Sequence, residues 1–92
     1  MTEERTIYKY EAPTPFDPEK TIELPEGAQI VEVGLDPAGT ICLWALVDPN
    51  TEVKTNRMFL LVGTGQPIVQ NVTHLGSVRD GWLVWHILEV TE

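Results

Sequence analysis

The chain has 92 residues, 42% of them hydrophobic, and a formal net charge of −8. This length predicts one domain over residues 1–92, and a hydrophobic fraction near the globular average argues against a disordered chain. Six Lys and Arg residues stand against 14 acids. General binding to DNA, RNA or an anionic membrane is therefore disfavoured, because such surfaces need clustered bases. The single cysteine, Cys42, excludes an intramolecular disulfide and is expected to be buried.

The N-terminal sequence Met-Thr-Glu-Glu-Arg-Thr lacks the basic start and the apolar stretch of a signal peptide. The longest apolar run, from Ile41 to Val47, is far shorter than the ~20 residues that span a bilayer. We therefore expect a cytoplasmic protein. Because a chain of this size buries only roughly 60–65% of its unfolded surface, we also expect a homo-oligomer.

Short segments rich in Val, Ile, Leu, Thr and aromatic residues alternate with proline- and glycine-containing turns, a pattern that predicts strands. In chain order, the predicted strands cover Thr6–Tyr10, Thr21–Leu24, Gln29–Leu35, Thr40–Val47, Arg57–Val62, Asn71–Val78 and Trp82–Val90. Their short spacing and local turns predict an all-β fold of about seven strands. The expected architecture is a small antiparallel meander, closed as a barrel or folded as a sandwich.

For three of these regions the sequence also predicts which residues are buried or form a loop. Alternation in the third strand predicts that Val31, Val33 and Leu35 face the core. The fourth strand is apolar on both faces, which predicts a central, fully buried strand with Trp44 in the core. The polar residues 51–56, between the fourth and fifth strands, are expected to form a loop.

The last two strands form a predicted hairpin around Asp80-Gly81 and carry the only histidines, His74 and His86. A two-residue loop at Asp80-Gly81 would place the imidazoles on opposite faces, whereas a three-residue loop with a bulge at Gly81 would make them neighbours. Two histidines fall short of the three or four ligands of a zinc site, so we expect no metal. Both are interpreted as structural residues.

No segment has the spacing of a catalytic motif. Gly63-Thr64-Gly65 has the composition of a phosphate loop, but it leads into another strand-like segment and not into a helix. Ser77, the sole serine, does not lie in a nucleophile elbow. We therefore expect a non-enzymatic protein without catalytic residues or a cofactor.

The aromatic residues give the best indication of function. Trp82 and Trp85 have opposite parity on the last strand, so at least one of them is expected to be exposed. Exposed Trp and Tyr side chains anchor interfaces and stack planar ligands. We expect the aromatic rings to stack on the base of a nucleotide and the cationic side chains to pair with its phosphates. The predicted ligand-binding residues are Trp82, Trp85, Tyr8, Arg57, Arg79 and Lys54.

Five segments form a recognisable set: Ile7–Glu11, Leu24–Ala28, Cys42–Pro49, Leu61–Ile68 and Trp82–His86. In this order they resemble a family of short, functionally uncharacterised proteins encoded by tailed bacteriophages and prophages. The similarity spans nearly the whole chain, and the segment Cys-Leu-Trp-Ala-Leu-Val-Asp-Pro is its most specific part. The resemblance implies a small phage accessory protein that acts in the host bacterial cytoplasm, and it brings no catalytic residues.

Three functions are compatible with these features. The first is a counter-defence sponge, a homo-oligomer that sequesters a host immune signalling nucleotide in pockets between subunits. The second is an acidic inhibitor of a host enzyme, in which residues 1–50, with ten acids against three bases, mimic nucleic acid. The third is a minor structural or assembly protein of the virion.

Overall fold

The chain folds into seven β-strands in a computed structural model that describes residues 4–91; residues 1–3, at the start of the segment inspected for a signal peptide, lie outside the described residues, as does residue 92. The strands are β1 (Thr6–Glu11), β2 (Glu19–Pro25), β3 (Gln29–Leu35), β4 (Ile41–Val47), β5 (Lys54–Gly63), β6 (Val72–Asp80) and β7 (Leu83–Val90). They form two antiparallel sheets that are not closed into a barrel. The all-β prediction is confirmed, and of its two forms the fold corresponds to the sandwich.

The two sheets differ in size, and the chain passes from one sheet to the other along its length. One sheet has three strands in the order β1-β4-β3, and the other has four in the order β2-β5-β7-β6. The pairs β3–β4 and β6–β7 are local hairpins, whereas β1–β4 and β2–β5 join strands that are distant in sequence. The edge strands β3 and β6 contact each other across the sandwich.

The core lies between the sheets and is made of alternate side chains from facing strands. Leu43 and Ala45 of β4 are completely buried, as are Phe59 of β5 and Ile87 of β7. Burying one such large side chain stabilises the fold by about 1.5–3 kcal/mol. The central position predicted for the fourth strand is confirmed, since β4 has a partner on each side.

A β-bulge in β3 changes which of its side chains reach the core. Ile30 pairs with Ala45 and Glu32 with Trp44, which leaves Val31 as an extra residue without a partner. Val33 is buried as predicted, but Val31 is 44% exposed and Leu35, the last residue of the strand, is 50% exposed. The prediction for Val31 and Leu35 is therefore wrong, because the bulge breaks the alternation and the strand ends at Leu35.

Two further expectations also fail. Trp44 is partly exposed between its cross-strand neighbours Lys9 and Glu32, on the opposite face of β4 from the buried Leu43. Residues 54–56 belong to β5 and pair with residues 23–25 of β2, so only the first part of the predicted loop is a loop. In that segment backbone pairing with the neighbouring strand outweighs local polarity.

Candidate functional site

The β6–β7 hairpin ends in a tight turn that presents a tryptophan to solvent. Asp80 pairs with Leu83, so the two-residue loop is Gly81-Trp82. Gly81 has φ 62°, while no other residue type in residues 4–91 has positive φ. This combination fits a type II′ turn, whose first central position requires glycine. The Trp82 side chain is consequently fully exposed, as expected for at least one of the two hairpin tryptophans.

A cavity of about 520 Å³ lies beside this turn. Its volume falls within the range typical of small-ligand sites, roughly 300–1,000 Å³. Trp85 packs against the core on one side of it, directly opposite Gly63. The lining contains no charged residue and consists of Gly63, Thr64, Gln66 and residues 82–85. We call this space the hairpin cavity.

The loop after β5 forms one wall of the hairpin cavity and is held in shape by its own hydrogen bonds. The backbone N–H of Gln66 donates to the carbonyl oxygen of Gly63 over 3.1 Å. In return, the backbone N–H of Gly63 donates to the side-chain oxygen Oε1 of Gln66. Gly63-Thr64-Gly65 is therefore a tight connection within a β structure, and no helix follows it.

The indole nitrogen of Trp85, Nε1, is a donor that is buried without a hydrogen-bond partner among the residues that the structure describes. A buried unsatisfied donor costs about 1–3 kcal/mol, so such groups are rare unless a ligand or water completes them. Trp85 also lines a second cavity, of about 380 Å³, together with the fully exposed Phe16. The hairpin end of the molecule thus has two cavities that Trp85 lines, and within residues 4–91 it contains one buried side-chain donor without an acceptor.

The structure brings two of the six predicted ligand-binding residues into the hairpin cavity and places a third on the same hairpin. Trp82 and Trp85 line the cavity. Arg79 is exposed and lies directly opposite Val84, which is part of the lining, but Arg79 does not line the cavity itself.

The other three predicted residues lie elsewhere. Tyr8 belongs to β1 in the three-stranded sheet, opposite Ala45. Lys54 is exposed at the opposite end of β5 from Gly63, and the nine steps of extended strand from one to the other span about 30 Å. Tyr8 and Lys54 are not part of the hairpin cavity.

Arg57 links two strands of the four-stranded sheet to the segment between β2 and β3. Its Nε and Nη2 donate to the two carboxylate oxygens of Glu89 over 2.6 and 2.8 Å, and its Nη1 donates to the carbonyl oxygen of Ala28 over 2.6 Å. The Glu89 carboxylate raises the pKa of the Arg57 guanidinium above its usual value. The two charged side chains are only 22% and 18% exposed. Arg57 thus links β5, β7 and the residue that precedes β3.

The two histidines are neighbours, for a reason that neither sequence alternative contained. The hairpin loop has two residues, but they are Gly81-Trp82, and a bulge lies at Leu75. Because Leu75 is skipped, His74 pairs with Leu88 and falls on the same face as His86. Leu75 instead packs against the core. No local sequence feature marks Leu75 as the bulged residue.

These two imidazoles belong to a short hydrogen-bonded chain. Nε2 of His74 lies 3.0 Å from Nδ1 of His86, and Nε2 of His86 lies 2.9 Å from the hydroxyl oxygen of Thr64. The Thr64 hydroxyl in turn donates to the carbonyl oxygen of Val84 over 3.5 Å. A cavity of about 250 Å³ adjoins both rings and shares Thr64 and Gln66 with the hairpin cavity.

Comparisons with known proteins extend this description only as far as a family. Within residues 4–91, no helix is long and apolar enough to cross a membrane, and no group of three or more His, Cys, Asp or Glu side chains is placed to hold a metal ion. No curated protein and no solved structure is significantly similar to the chain. The sequence profile of a family described as "Domain of unknown function (DUF7352)" matches residues 3–92. The chain therefore belongs to this family.

Proposed function

We propose that the domain is a non-enzymatic binding protein that holds the planar base of a small anionic nucleotide in the hairpin cavity. The observation that supports this most directly is the cavity itself, which is lined by both Trp82 and Trp85. A base supplies a flat face for stacking on an indole ring. The stacking of one base on an aromatic side chain contributes about 1–3 kcal/mol.

The charges around the opening agree with such a ligand. The lining is uncharged, which suits a neutral base. The cation that we propose for the phosphate is the exposed Arg79, which lies in β6 directly opposite Val84 of the lining. Arg57 is committed to Glu89 and to a backbone carbonyl, so its contribution is to the stability of the sandwich. Binding therefore depends on the hairpin tip and not on a dispersed set of bases.

The biological role that we propose is counter-defence: a phage accessory protein that sequesters a host immune signalling nucleotide in the host cytoplasm. The phage origin rests on the resemblance of the five sequence segments. Self-association belongs to the same proposal. It is supported by the outer face of the three-stranded sheet, where a depression of about 460 Å³ is lined by Glu32 and by apolar residues that include the exposed Ile7 and Val31 beside Trp44.

A thermal-shift and calorimetric titration tests the binding proposal. The probes are cyclic mononucleotides, cyclic dinucleotides and ADP-ribose. We expect one class to raise the melting temperature and to bind once per hairpin cavity. Trp82→Ala should weaken this binding about tenfold or more, since stacking is worth about 1–3 kcal/mol. Phe16→Ala removes an equally exposed aromatic ring and is the matched control, which should bind normally.

Two results would contradict the proposal. One is that no member of the panel shifts the melting temperature of the wild-type protein. The other is that a nucleotide binds equally well to the wild type and to Trp82→Ala. Arg79→Gln separates the two parts of the ligand, because it should weaken the binding of a nucleotide but leave the binding of the uncharged nucleoside unchanged.

A second candidate is the acidic inhibitor of a host enzyme. It is favoured by β2, an edge strand of the four-stranded sheet, on which Glu19 and Glu23 are exposed on the same face and are followed by the exposed Glu26. A pull-down from bacterial lysate distinguishes it from nucleotide binding. The inhibitor predicts a specific protein that the wild type retains and that the Glu19→Gln/Glu23→Gln/Glu26→Gln variant loses. Retention that is the same for both proteins would contradict it.

A further inference from the structure

We propose that His74 and His86 together bind one divalent transition-metal ion of the zinc, nickel and copper class. Neither histidine lines the hairpin cavity, although Thr64, which contacts His86, lines both that cavity and the one beside the histidines. Imidazole nitrogen is a preferred ligand for this group of metals. Two imidazoles from adjacent strands that present one nitrogen each to a common point form the minimal unit of such a site.

The separation of the two nitrogens is close to that of a chelate. Nε2 of His74 and Nδ1 of His86 are 3.0 Å apart. With metal–nitrogen bonds of about 2.0–2.1 Å, two ligands at a right angle are about 2.9 Å apart and two at the tetrahedral angle about 3.3–3.4 Å. The rings are already inclined to each other by 57°. For tetrahedral coordination each ring must turn by about 35° so that both lone pairs converge on the ion.

The outer nitrogen of His86 already has the partner that a metal ligand needs. His86 Nε2 lies 2.9 Å from the Thr64 hydroxyl oxygen, and that hydroxyl also lies 3.5 Å from the Val84 carbonyl oxygen. Metal-binding histidines almost always donate their second N–H to such an outer partner. In the metal-bound state, His86 carries its proton on Nε2, towards the Thr64 oxygen, and the Thr64 hydroxyl donates to the Val84 carbonyl. His74 then carries its proton on Nδ1, so that both rings are neutral and Nε2 of His74 and Nδ1 of His86 are unprotonated.

The position of the pair leaves room for further ligands. The cavity of about 250 Å³ beside the two rings is lined by the loop residues 63–66 and by Ile68. Two protein ligands occupy half of a tetrahedral shell, so water or an exogenous anion completes it. We therefore expect an exchangeable ion, with Cu²⁺ bound more tightly than Ni²⁺ or Zn²⁺ in keeping with the general order of affinities.

Calorimetric titration of the chelator-treated protein with CuCl₂ and ZnCl₂ tests this site. We expect one equivalent per chain, and no saturable binding in the same concentration range for His74→Gln or His86→Gln. Thr64→Val should weaken binding about 10–100-fold by removing the outer partner of His86. Ser77→Ala is the matched control, since Ser77 is an exposed hydroxyl residue directly opposite His86, and it should bind as the wild type does.

Nuclear magnetic resonance of the wild-type protein tests the same site without depending on whether a variant folds. During a Zn²⁺ titration, the ring nitrogens His74 Nε2 and His86 Nδ1 should show the shifts of metal ligands, and His86 Nε2 should carry the proton in the bound state. Ring-nitrogen signals that do not respond to Zn²⁺ would overturn the proposal. So would metal binding that persists in both histidine variants, since it would show that carboxylates are the ligands.

Discussion

Arg57→Gln should destabilise the domain by about 2–3 kcal/mol. The substitution removes a bidentate pair and one bond to a carbonyl oxygen, with three donor–acceptor distances between 2.6 and 2.8 Å. Breaking a fully buried ion pair costs about 3–5 kcal/mol, because the remaining charge stays uncompensated. Arg57 and Glu89 retain about a fifth of their exposure, so water reaches the stranded carboxylate and the cost is smaller. For a domain of this size, the loss corresponds to a fall in melting temperature of about 8–24 °C.

Urea unfolding followed by tryptophan fluorescence measures this cost. Lys54→Gln removes the same charge from an exposed site on the same strand and should change the free energy of unfolding by less than about 0.5 kcal/mol. The double variant Arg57→Gln/Glu89→Gln should lose less stability than the sum of the two single variants, because the second substitution removes the unpaired charge. Equal stabilities of Arg57→Gln and Lys54→Gln would refute the role of Arg57 as a link between the four-stranded sheet and the segment that precedes β3.

Three further predictions concern packing, burial and pH. Gly76→Ala should lower the free energy of unfolding by about 1–3 kcal/mol through overpacking, since the new Cβ would lie 2.2 Å from a methyl carbon of Val33. Adding Val33→Ala should recover part of this stability in a double-mutant cycle. Cys42 is completely buried, and burial raises the pKa of its thiol, so a thiol-specific reagent should label it rapidly in urea and only slowly in the native protein. The backbone N–H of Thr40, followed by the ammonium of Lys9, lowers the pKa of Asp36. The stabilising effect of the Asp36 carboxylate is therefore complete above the unfolded pKa of about 3.9 and is lost as pH falls through the folded pKa. The wild type and Asp36→Asn should consequently differ in urea stability at pH 7 and should have the same stability in strong acid.

The sequence predicts the strands well because their signals are local. Alternation and β-branched residues mark the segments, and turn residues such as those of Asp36–Gly39 separate them; here the turn closes with a 2.9 Å bond from the Gly39 N–H to the Asp36 carbonyl oxygen. The parity of Trp82 and Trp85 likewise predicts that at least one of the two is exposed, and Trp82 is. For these features, neighbouring residues contain all the necessary information.

The errors arise where strand pairing, not local sequence, decides the outcome. The bulges at Val31 and Leu75 each shift the following side chains to the other face, and nothing in either segment distinguishes the bulged residue from its neighbours. The contact between the two histidines depends entirely on the second bulge. Similarly, Arg57 resembles a free surface cation in the sequence, since its partner Glu89 lies 32 residues away. Long-range pairing of this kind cannot be deduced from spacing.

The most direct test of the proposed function is a nuclear magnetic resonance titration that follows the indole N–H signals of the three tryptophans. Trp82 and Trp85 line the hairpin cavity, whereas Trp44 lies on the outer face of the other sheet and serves as an internal control. With a nucleotide that raises the melting temperature, we predict that the Trp82 and Trp85 signals shift and that the Trp44 signal does not. A shift of Trp44 alone, or saturating binding that leaves both hairpin signals unchanged, would contradict binding in the hairpin cavity.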